Sequence, residues 1–357
     1  MKKRLSKIKQ HDKREELMNI AVVGLGVMGL CCAIKLARKG FDKVTLFDDP
    51  TRKPASRCAG GMLAPYSESD TLDPHAQQLA FQYSLPFWRE LSESLGFLFK
   101  DNGTLVMANP QDQALLKRFL THLPEHSYER MSLEDLVKNE QHINPRFAEA
   151  YWIPDEAYIE TAQALTRMRQ FVQKRFVSCD ERVNFADLPD RGFDTIIDCR
   201  GAFSQESGLR AVKGERILLR CQELELKHCI RLMHPRYPFY VVPQGNHHYV
   251  VGASMIEDNM DENVTTRSVL ELLTGLASLT SLALESEIIS MDAGLRPAYP
   301  DNTPKVKFKN ENHLHILHCN GLYRHGFLMA PLMSEIIISY LENQSIPKEF
   351  DKYVSKD

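Results

Sequence analysis

The sequence predicts an α/β (α+β) fold, in which a Rossmann-type nucleotide-binding domain carries an inserted domain with a mixed β-sheet. A strand, a glycine-rich turn, a helix and a second strand follow one another from Asn19 to Asp49. A further apolar strand that ends on glycine, Phe193 to Ser204, lies far downstream, and β-rich segments run from Glu215 to about Ser254. The late strand indicates that the chain returns to the first sheet, so the segments between form an insertion.

The nucleotide-binding motif is GLGVMG, which supplies Gly24, Gly26 and Gly29 directly after the apolar strand Ile20 to Val23. The first glycine permits a tight turn, the second lets a pyrophosphate approach the backbone, and the third lets the helix pack on the strand. The N-terminus of that helix offers free N–H groups and a positive dipole end to phosphates. Asp48 ends the next strand, where a carboxylate can accept hydrogen bonds from ribose hydroxyls. A dinucleotide is therefore the predicted ligand.

The remaining elements are predicted from apolar periodicity and from the positions of glycine and proline. The loop ASRCAGGMLAPYSE has small residues that let the chain pass close to a flat ring or a phosphate. The segments 294–304 and 320–331 are predicted to be loops, and the chain is predicted to end with an amphipathic helix, MAPLMSEIIISYLENQ. Four earlier segments have helical periodicity: 75–96, 110–123, 158–176 and 265–279.

Composition excludes several classes of partner. The chain has 357 residues and a formal net charge of -3, so it has no broad basic field and nucleic acid is not an expected partner. No apolar run approaches the ~18 residues that a membrane span needs. None of the eight cysteines forms a C-x-x-C pair, so no metal site is predicted, and reduced thiols in a cytoplasmic protein are expected.

The first 18 residues are basic and polar and lack the apolar middle of a signal peptide. We interpret them as an N-terminal extension, which is either a disordered arm or the result of an upstream start codon with Met18 as the true beginning. An arm that contacts a membrane surface or a partner is the alternative.

The motifs together resemble the D-amino-acid oxidase superfamily of FAD enzymes, from Asn19 to about Leu341. Within it, the chain is similar to the glycine oxidases of thiamine biosynthesis in their proteobacterial form. The motifs that carry the resemblance occur in the family's order: GLGVMG with Asp48, AGGMLAP, FDTIIDCRGA, VKGE, YVVPQGNHHYVVGASM, GLRP and GLYRHGFLMAP. The resemblance implies a p-hydroxybenzoate-hydroxylase-like FAD-binding domain over 19–75, 150–214 and 290–345. The substrate domain, a mixed sheet with helices, would then comprise 76–149 and 215–289.

The resemblance implies FAD as the cofactor and assigns regions of the chain to parts of it. The glycine-rich turn would touch the pyrophosphate, and the acidic pair, Asp48 and Asp49, would hold the ribose. The AGGML loop would line the diphosphate and the isoalloxazine, and the GLYRHGF segment would approach the pyrimidine side of the ring. The implied FAD-binding residues are Gly24, Gly26, Val27, Met28, Gly29, Asp48, Asp49, Ser56, Arg57, Gly60, Gly61, Met62, Leu63, Val183, Gly201, Gly294, Leu322, Arg324, His325, Gly326 and Phe327.

Five residues are the implied catalytic set. Arg296 would hold the substrate carboxylate, because a guanidinium can bind it bidentately whereas lysine cannot; a surface or domain-bridging arginine is the alternative. Tyr240 would assist as a hydroxyl donor, or it is a cross-strand aromatic, and Arg324 would also assist. Met255 would lie near the substrate side chain. His325 is either a general base or a residue that positions the backbone.

The implied reaction is amine oxidation by hydride transfer to the flavin. Glycine, sarcosine or a small D-amino acid would give an imine, and glycine would give glyoxylate, ammonia and hydrogen peroxide, in the thiazole branch of thiamine biosynthesis. The implied partners are the amine and molecular oxygen, and relatives suggest a homo-oligomer. Two alternatives stay open: a dehydrogenase that passes electrons to a quinone-type acceptor, and an accessory flavoprotein that acts on another protein. The family often has histidine at the position of Leu322 and asparagine at that of His325.

Overall fold

A computed structural model gives the structure of the protein. It describes residues 18–147, 149–236, 238–257, 260–311 and 314–356. The predicted N-terminal extension, 1–18, therefore lies outside the described residues except for Met18.

The chain forms two compact units, each built from more than one segment. The first comprises the described residues of 1–57, 165–211 and 296–357, and the second those of 58–164 and 212–295. The domains expected from the sequence are also discontinuous, but the boundaries between the two observed units lie at other residues. Residues 58–75 and 150–164 belong to the second unit, whereas the sequence assigns them to the nucleotide-binding domain.

The described residues contain both strands and helices in each unit. The strands are β1 (Ile20–Val23), β2 (Val44–Phe47), β3 (Met62–Leu63), β4 (Phe99–Lys100), β5 (Thr104–Ala108), β6 (Glu129–Met131), β7 (Ala150–Ile153), β8 (Ala157–Ile159), β9 (Val177–Cys179), β10 (Thr195–Asp198), β11 (Arg210–Arg220), β12 (Cys229–Met233), β13 (Phe239–Pro243), β14 (His248–Gly252), β15 (Ile256–Glu257), β16 (Glu287–Ala298), β17 (Lys305–Glu311), β18 (Leu314–Asn320) and β19 (Val354–Lys356). The α-helices are α1 (Val27–Arg38), α2 (Pro74–Leu79), α3 (Leu85–Leu95), α4 (Gln113–Leu120), α5 (Leu133–Asn139), α6 (Thr161–Gln173), α7 (Thr266–Leu279) and α8 (Gly326–Asn343).

The first unit contains the nucleotide-binding sheet. Its strand order in the described residues is β19-β17-β18-β10-β1-β2-β9, and the strands from β18 to β9 pair in parallel. Each residue of β1 is buried, as expected for a central parallel strand that is covered on both faces. Helix α1 packs against α8 in this unit. The predicted return of the downstream strand to the first sheet is confirmed, because β10 pairs with β1 with Val22 opposite Ile197.

The second unit is built on a larger mixed sheet. Its strand order in the described residues is β15-β11-β14-β13-β12-β5-β7-β6, and β16 also pairs with β11. Helix α7 packs on β13 and β14, and the apolar core includes Leu232, Phe239, Leu272 and Leu276. A small sheet of β3, β8 and β4 lies in the same unit. The α/β (α+β) class with a mixed second sheet is therefore the observed architecture.

Four element predictions need correction. The helix predicted from residue 158 begins at Thr161, because Tyr158 pairs with Met62 in the small sheet. The predicted loop 294–304 begins as strand, since β16 continues to Ala298 and tolerates Pro297 near its end. The predicted helix 75–96 is α2, a π-helical turn and α3, and Pro86, which has no N–H, follows that turn. The predicted loop 320–331 ends at residue 325, because α8 begins at Gly326.

Candidate active site

The glycine-rich turn of the first unit has no room for side chains at two of its glycines. Gly24 has φ +94°, and a Cβ there would lie 2.7 Å from the carbonyl oxygen of Cys199. A Cβ on Gly29 would lie 2.0 Å from the carbonyl oxygen of Gly24. At Gly26 the nearest atoms to such a Cβ, on Pro54 and Ser56, are 3.4 Å away, so the protein itself leaves space there. That space is what a pyrophosphate approaching the backbone requires.

Two helix N-termini lie side by side at this turn. Helix α1 begins at Val27 and α8 begins at Gly326, and a Cβ on Gly326 would be 3.8 Å from Cγ1 of Val27. The first N–H groups of a helix have no partner within the helix, and the helix dipole adds positive potential at the same end. The arrangement suits FAD, whose diphosphate would face the N-terminus of α1 while the pyrimidine side of its ring faces that of α8, as the sequence resemblance implies.

The two acidic residues of the predicted ribose site, Asp48 and Asp49, make different contacts. Asp48 Oδ1 accepts a hydrogen bond from the Leu25 N–H at 3.0 Å, and Oδ2 accepts one from Arg169. A carboxylate has about four lone-pair positions, so Asp48 keeps acceptor capacity for a ribose hydroxyl. Asp49 instead accepts from the Thr51 N–H and hydroxyl, and the hydroxyl hydrogen bond is the main cause that lowers its pKa. Asp48 therefore fits the ribose role better than Asp49.

Four other predicted cofactor residues lie in the first unit, outside the glycine-rich turn. The Ser56 hydroxyl accepts a hydrogen bond from the Val27 N–H at 3.3 Å, and Arg57 next to it is exposed. Gly201, with φ +59°, follows β10, and its carbonyl oxygen accepts from the Asn320 side chain at 3.0 Å. Val183 is buried in an apolar cluster that includes Phe47.

Asp198, which the sequence did not single out, organises the end of β10. Burial opposes its ionisation, but hydrogen bonds from His318 and Arg200 outweigh this and hold the pKa of the carboxyl well below its usual range. Arg200 contacts it through Nε at 2.8 Å and Nη2 at 3.0 Å, and His318 Nδ1 lies 2.9 Å away. The ionised carboxylate thereby fixes the backbone that packs against Gly24.

The first unit also brings together two of the predicted catalytic arginines. The Tyr323 N–H donates to the Pro297 carbonyl oxygen at 2.8 Å, so Arg296 and Arg324 lie on either side of one hydrogen bond. Both arginines are half-buried. Tyr323 itself adopts φ +49°, a left-handed conformation that allows this tight turn. Two arginine residues whose backbone lies next to a helix N-terminus make this segment a candidate carboxylate site.

His325 is the N-cap residue of α8 and is almost fully buried. Its N–H donates to the Leu322 carbonyl oxygen at 2.9 Å, and its carbonyl oxygen accepts from the Met329 N–H at 2.7 Å. Leu322 and Phe327 beside it are buried as well. Of the two roles predicted for His325, positioning of the backbone is the one that these contacts favour.

In the second unit, two glycines set the position of Tyr240. A Cβ on Gly60 would lie 2.8 Å from Cε2 of the Tyr240 ring, and a Cβ on Gly252 would lie 2.9 Å from its Cζ and hydroxyl. Gly60 belongs to the predicted flavin loop, and its carbonyl oxygen accepts from Gln244 at 3.0 Å. Tyr240 therefore packs as a cross-strand aromatic and also contacts the predicted flavin loop, and its role as a hydroxyl donor to the substrate stays a prediction.

The rest of the flavin loop is fixed by its own sheet. Gly61 has φ +87°, and a Cβ there would lie 2.2 Å from the Ile159 carbonyl oxygen. Met62 and Leu63 form β3, which pairs with β8. Gly294 is buried within β16.

Met255 follows β14 and is 40% exposed. The preceding Ser254 hydroxyl donates to Glu215 at 2.9 Å, and the same carboxylate accepts from the Thr265 N–H at 2.8 Å. Glu215 thus ties the Met255 segment to the residue that caps the N-terminus of α7.

A buried charged cluster beside Tyr240 was missed by the sequence analysis. Arg231 lies opposite Tyr240 in the sheet, so the two side chains share a face. It is only 2% exposed and donates to Glu68 at 2.8 Å and to Asp70 at 3.1 Å. An arginine inside the apolar strand CIRLM was the available signal. The cluster anchors the segment that follows the flavin loop to the strand next to Tyr240.

Glu156 holds the same segment from a second direction. Its fully buried carboxylate accepts hydrogen bonds from the N–H groups of Tyr66 and Ser67, at 2.8 and 2.6 Å, and from the Ser67 hydroxyl. Burial raises the pKa of Glu156 to about 7, although the hydrogen bonds from Ser67 partly offset this effect.

We expect Glu156 to make the protein less stable as the pH rises from about 4.5 to about 7. The native state holds the Glu156 proton more tightly than the unfolded chain does, so raising the pH removes stability, by about 3 kcal/mol for this pKa difference. Denaturant unfolding of the FAD-loaded protein across this pH range measures the effect. Glu156→Gln should remove it, and Glu134→Gln, at an exposed glutamate of the same unit, should not. Identical pH profiles for the wild type and Glu156→Gln would show that Glu156 does not titrate here.

Within the described residues, no group of histidine, cysteine or acidic side chains could hold a metal ion. No disulfide joins the eight cysteines, all of which lie in the described ranges. Among the helices of the described chain, none combines the length and the apolar character that crossing a bilayer requires.

The fold and the glycine-rich turn define a dinucleotide-binding protein with a discontinuous nucleotide unit. The family of FAD dependent oxidoreductases, DAO, matches residues 19–340, and the chain belongs to this family. A Rhizobium etli protein, provisionally named the thiamine biosynthesis oxidoreductase ThiO, is 34% identical over 93% of this chain and 99% of its own. The Synechocystis bifunctional protein ThiO/ThiG is 22% identical over 92% of this chain and 52% of its own.

Solved structures agree with this assignment at the level of fold. Glycine oxidase from Geobacillus kaustophilus has a TM-score of 0.79 and 20% identity, with 94% of this chain and 97% of that chain covered. The predicted superfamily, the FAD-binding fold and FAD as the cofactor are therefore confirmed, and the protein is an FAD-dependent oxidoreductase.

Proposed function

We propose that the protein oxidises glycine, or another small amine such as sarcosine or a small D-amino acid. For glycine the balanced reaction consumes the amino acid, oxygen and water, and it yields glyoxylate, ammonia and hydrogen peroxide. The carbon–nitrogen single bond becomes an imine, which water then hydrolyses. Bound FAD would accept the hydride and, once reduced, would supply the two electrons that convert oxygen to peroxide.

The observation that carries the proposal is the pair of arginines in the first unit. Arg296 and Arg324 flank the hydrogen bond between Tyr323 and Pro297, directly before the N-terminus of α8. A guanidinium binds a carboxylate through two parallel hydrogen bonds, and the helix end adds favourable potential for an anion. Holding the carboxylate fixes one end of an α-amino acid and restricts where its α-carbon can lie, which is a main requirement for the reaction.

The other candidate residues have supporting roles in this proposal. Tyr240, fixed by Gly60 and Gly252, offers a hydroxyl donor to the substrate. Met255 supplies a flexible apolar surface that suits a small substrate side chain. His325 acts through its backbone, because its N–H and carbonyl groups define the start of α8. No side chain needs to act as a base when the amine is already neutral.

The names of relatives favour a place in thiamine biosynthesis. The Rhizobium etli relative carries that pathway in its name, and glycine oxidases from Bacillus subtilis and Pseudomonas putida match over 92% and 90% of this chain, at 22% and 23% identity. We propose that the imine supplies thiazole formation. The cytoplasmic location and the homo-oligomer expected from the sequence stay predictions.

An anaerobic amine panel tests the proposed activity. Glycine, sarcosine and D-alanine are mixed separately with the FAD-loaded protein, and at least one of them should bleach the flavin absorbance. Readmission of air should then restore the colour and produce peroxide. Bleaching without reoxidation by air, but with reduction of a quinone or dye, identifies a dehydrogenase. A flavin that none of the three amines reduces would reject amine oxidation.

A further inference from the structure

Arg169 of helix α6 contacts both Asp48, the predicted ribose residue, and the glycine-rich turn. Its Nη2 donates to Asp48 Oδ2 at 2.5 Å and, more weakly, to the carbonyl oxygen of Leu25 at 3.4 Å. Asp48 Oδ1 accepts from the N–H of the same Leu25 at 3.0 Å. The three residues, all in the first unit, therefore close a ring of hydrogen bonds in which each carboxylate oxygen has its own donor.

Both sides of this contact are held by packed elements. Leu25 is only 2% exposed, and the Asp48 N–H donates at 3.1 Å to the carbonyl oxygen at the end of β9. On α6, Met168 and Val172 are fully buried and lie four residues apart, so they fix the helix by its apolar side. Arg169 is half-buried at the border of that side. A packed helix therefore presents the guanidinium to Asp48.

The ion pair itself is expected to contribute little to the stability of the fold. The side chains of Arg169 and Asp48 are 24% and 21% exposed, so water and salt screen their attraction. The pair does determine how the Asp48 carboxylate is oriented, because Arg169 is the only donor to Oδ2 in the part of the chain that the structure describes.

The orientation and the charge of this carboxylate both matter to a bound dinucleotide. A carboxylate has about four lone-pair positions, and the contacts with Leu25 and Arg169 leave the remaining ones in fixed directions for ribose hydroxyls. The carboxylate also places a negative charge beside the turn that would hold the diphosphate, and the guanidinium offsets that charge. Arg169 thus reduces a repulsion while it keeps the acceptor in place.

We propose that Arg169 is a positioning residue for FAD, which acts by holding the Asp48 carboxylate in the orientation that the adenosine ribose requires and by balancing its charge next to the diphosphate. Arg169 does not touch the reacting atoms. The inference does not depend on which amine is oxidised, because it concerns only the binding of the cofactor.

A double-mutant cycle on FAD affinity tests the proposal. The holoprotein is diluted, and the change in flavin fluorescence gives the dissociation constant of FAD. Arg169→Met should raise this constant roughly tenfold in the wild-type background, because a charge-assisted contact to Asp48 is lost. In an Asp48→Ala background the same substitution should change it less than about twofold, because the residue through which Arg169 acts is absent.

Two further variants separate positioning from a general effect on the fold. Arg169→Lys should recover part of the affinity, because the ammonium keeps the charge but not the planar fork of donors. Arg167→Met, at an exposed arginine of the same helix, is the matched control and should bind FAD like the wild type. Denaturant unfolding of the FAD-free variants should give midpoints close to that of the wild type.

Three results would overturn the proposal: wild-type FAD affinity in Arg169→Met, an equal loss of affinity in both backgrounds, or a fall in the unfolding midpoint that accounts for the lost affinity. If Arg169→Met does not yield folded protein, Arg169→Lys takes its place in the cycle, with a smaller expected loss that again appears only when Asp48 is present.

Discussion

Arg296→Leu is expected to leave FAD bound and to lower kcat/KM for the amine by roughly two orders of magnitude or more. The guanidinium is proposed to hold the substrate carboxylate, and leucine removes both of its hydrogen bonds and its charge. Arg296→Lys should recover only part of the loss, because an ammonium keeps the charge but cannot form the bidentate contact. Steady-state kinetics, together with the flavin absorbance of the purified variants, measures both effects.

The matched control for this experiment is Arg175→Leu. Arg175 is an exposed arginine of the same unit that pairs with Asp42 at the surface, where an ion pair contributes little to stability. Its replacement should leave the kinetics unchanged. If Arg296→Leu and Arg175→Leu both behave like the wild type, Arg296 does not bind the carboxylate, and the alternative that the sequence left open, a surface or domain-bridging arginine, becomes the better interpretation.

Gly26→Ala and Gly29→Ala are expected to fail in different ways, although both lie in the same turn. At Gly29 the new Cβ would meet the backbone of Gly24 at 2.0 Å, so the turn itself must move, and we expect a loss of about 1–3 kcal/mol or more in the free energy of unfolding. At Gly26 the protein has space for the Cβ, and the apoprotein should lose less than about 1 kcal/mol. FAD affinity should nevertheless fall at least roughly tenfold, because the methyl group occupies the position of the pyrophosphate.

Denaturant unfolding of the two apoproteins and FAD titration of each provide the measurements. Gly29→Ala thus tests the space that the folded backbone needs, and Gly26→Ala tests the space that the bound cofactor needs. If Gly26→Ala binds FAD as tightly as the wild type, the pyrophosphate does not approach the backbone at this residue, and the placement of the cofactor on the turn would have to be revised.

The features that the sequence predicts well are local ones. The β1–α1–β2 unit was predictable because the turn glycines, the helix periodicity and Asp48 lie within 30 residues and each depends only on its neighbours. Boundaries near prolines are predicted less well. Helix α8 begins at Gly326 rather than at Met329, and it contains Pro331 in its second turn. Strand β16 extends to Ala298 and contains Pro297 near its end, where the sequence predicts a loop.

The buried charged groups of the second unit could not have been paired from the sequence. Arg231 and Glu68 are 163 residues apart, and Ser67 and Glu156 are 89 apart. Such pairs depend on which strands become neighbours and on their register, which a single sequence does not specify. Arg169, which shares Asp48 with the glycine-rich turn, is 121 residues away from that carboxylate in the sequence.

The neighbouring N-termini of α1 and α8 have a consequence for biosynthesis. Strand β1 and helix α1 are made first, but β18 completes the parallel part of the sheet, and α8 comes to lie beside α1 only when the last quarter of the chain has been translated. Until then the edge of β10 that β18 will cover has no partner, and the nascent chain lacks one of the two helix N-termini that would face the cofactor. We therefore expect flavin loading to be a late, post-translational event, and ribosome-bound chains that stop before residue 326 should not retain the cofactor.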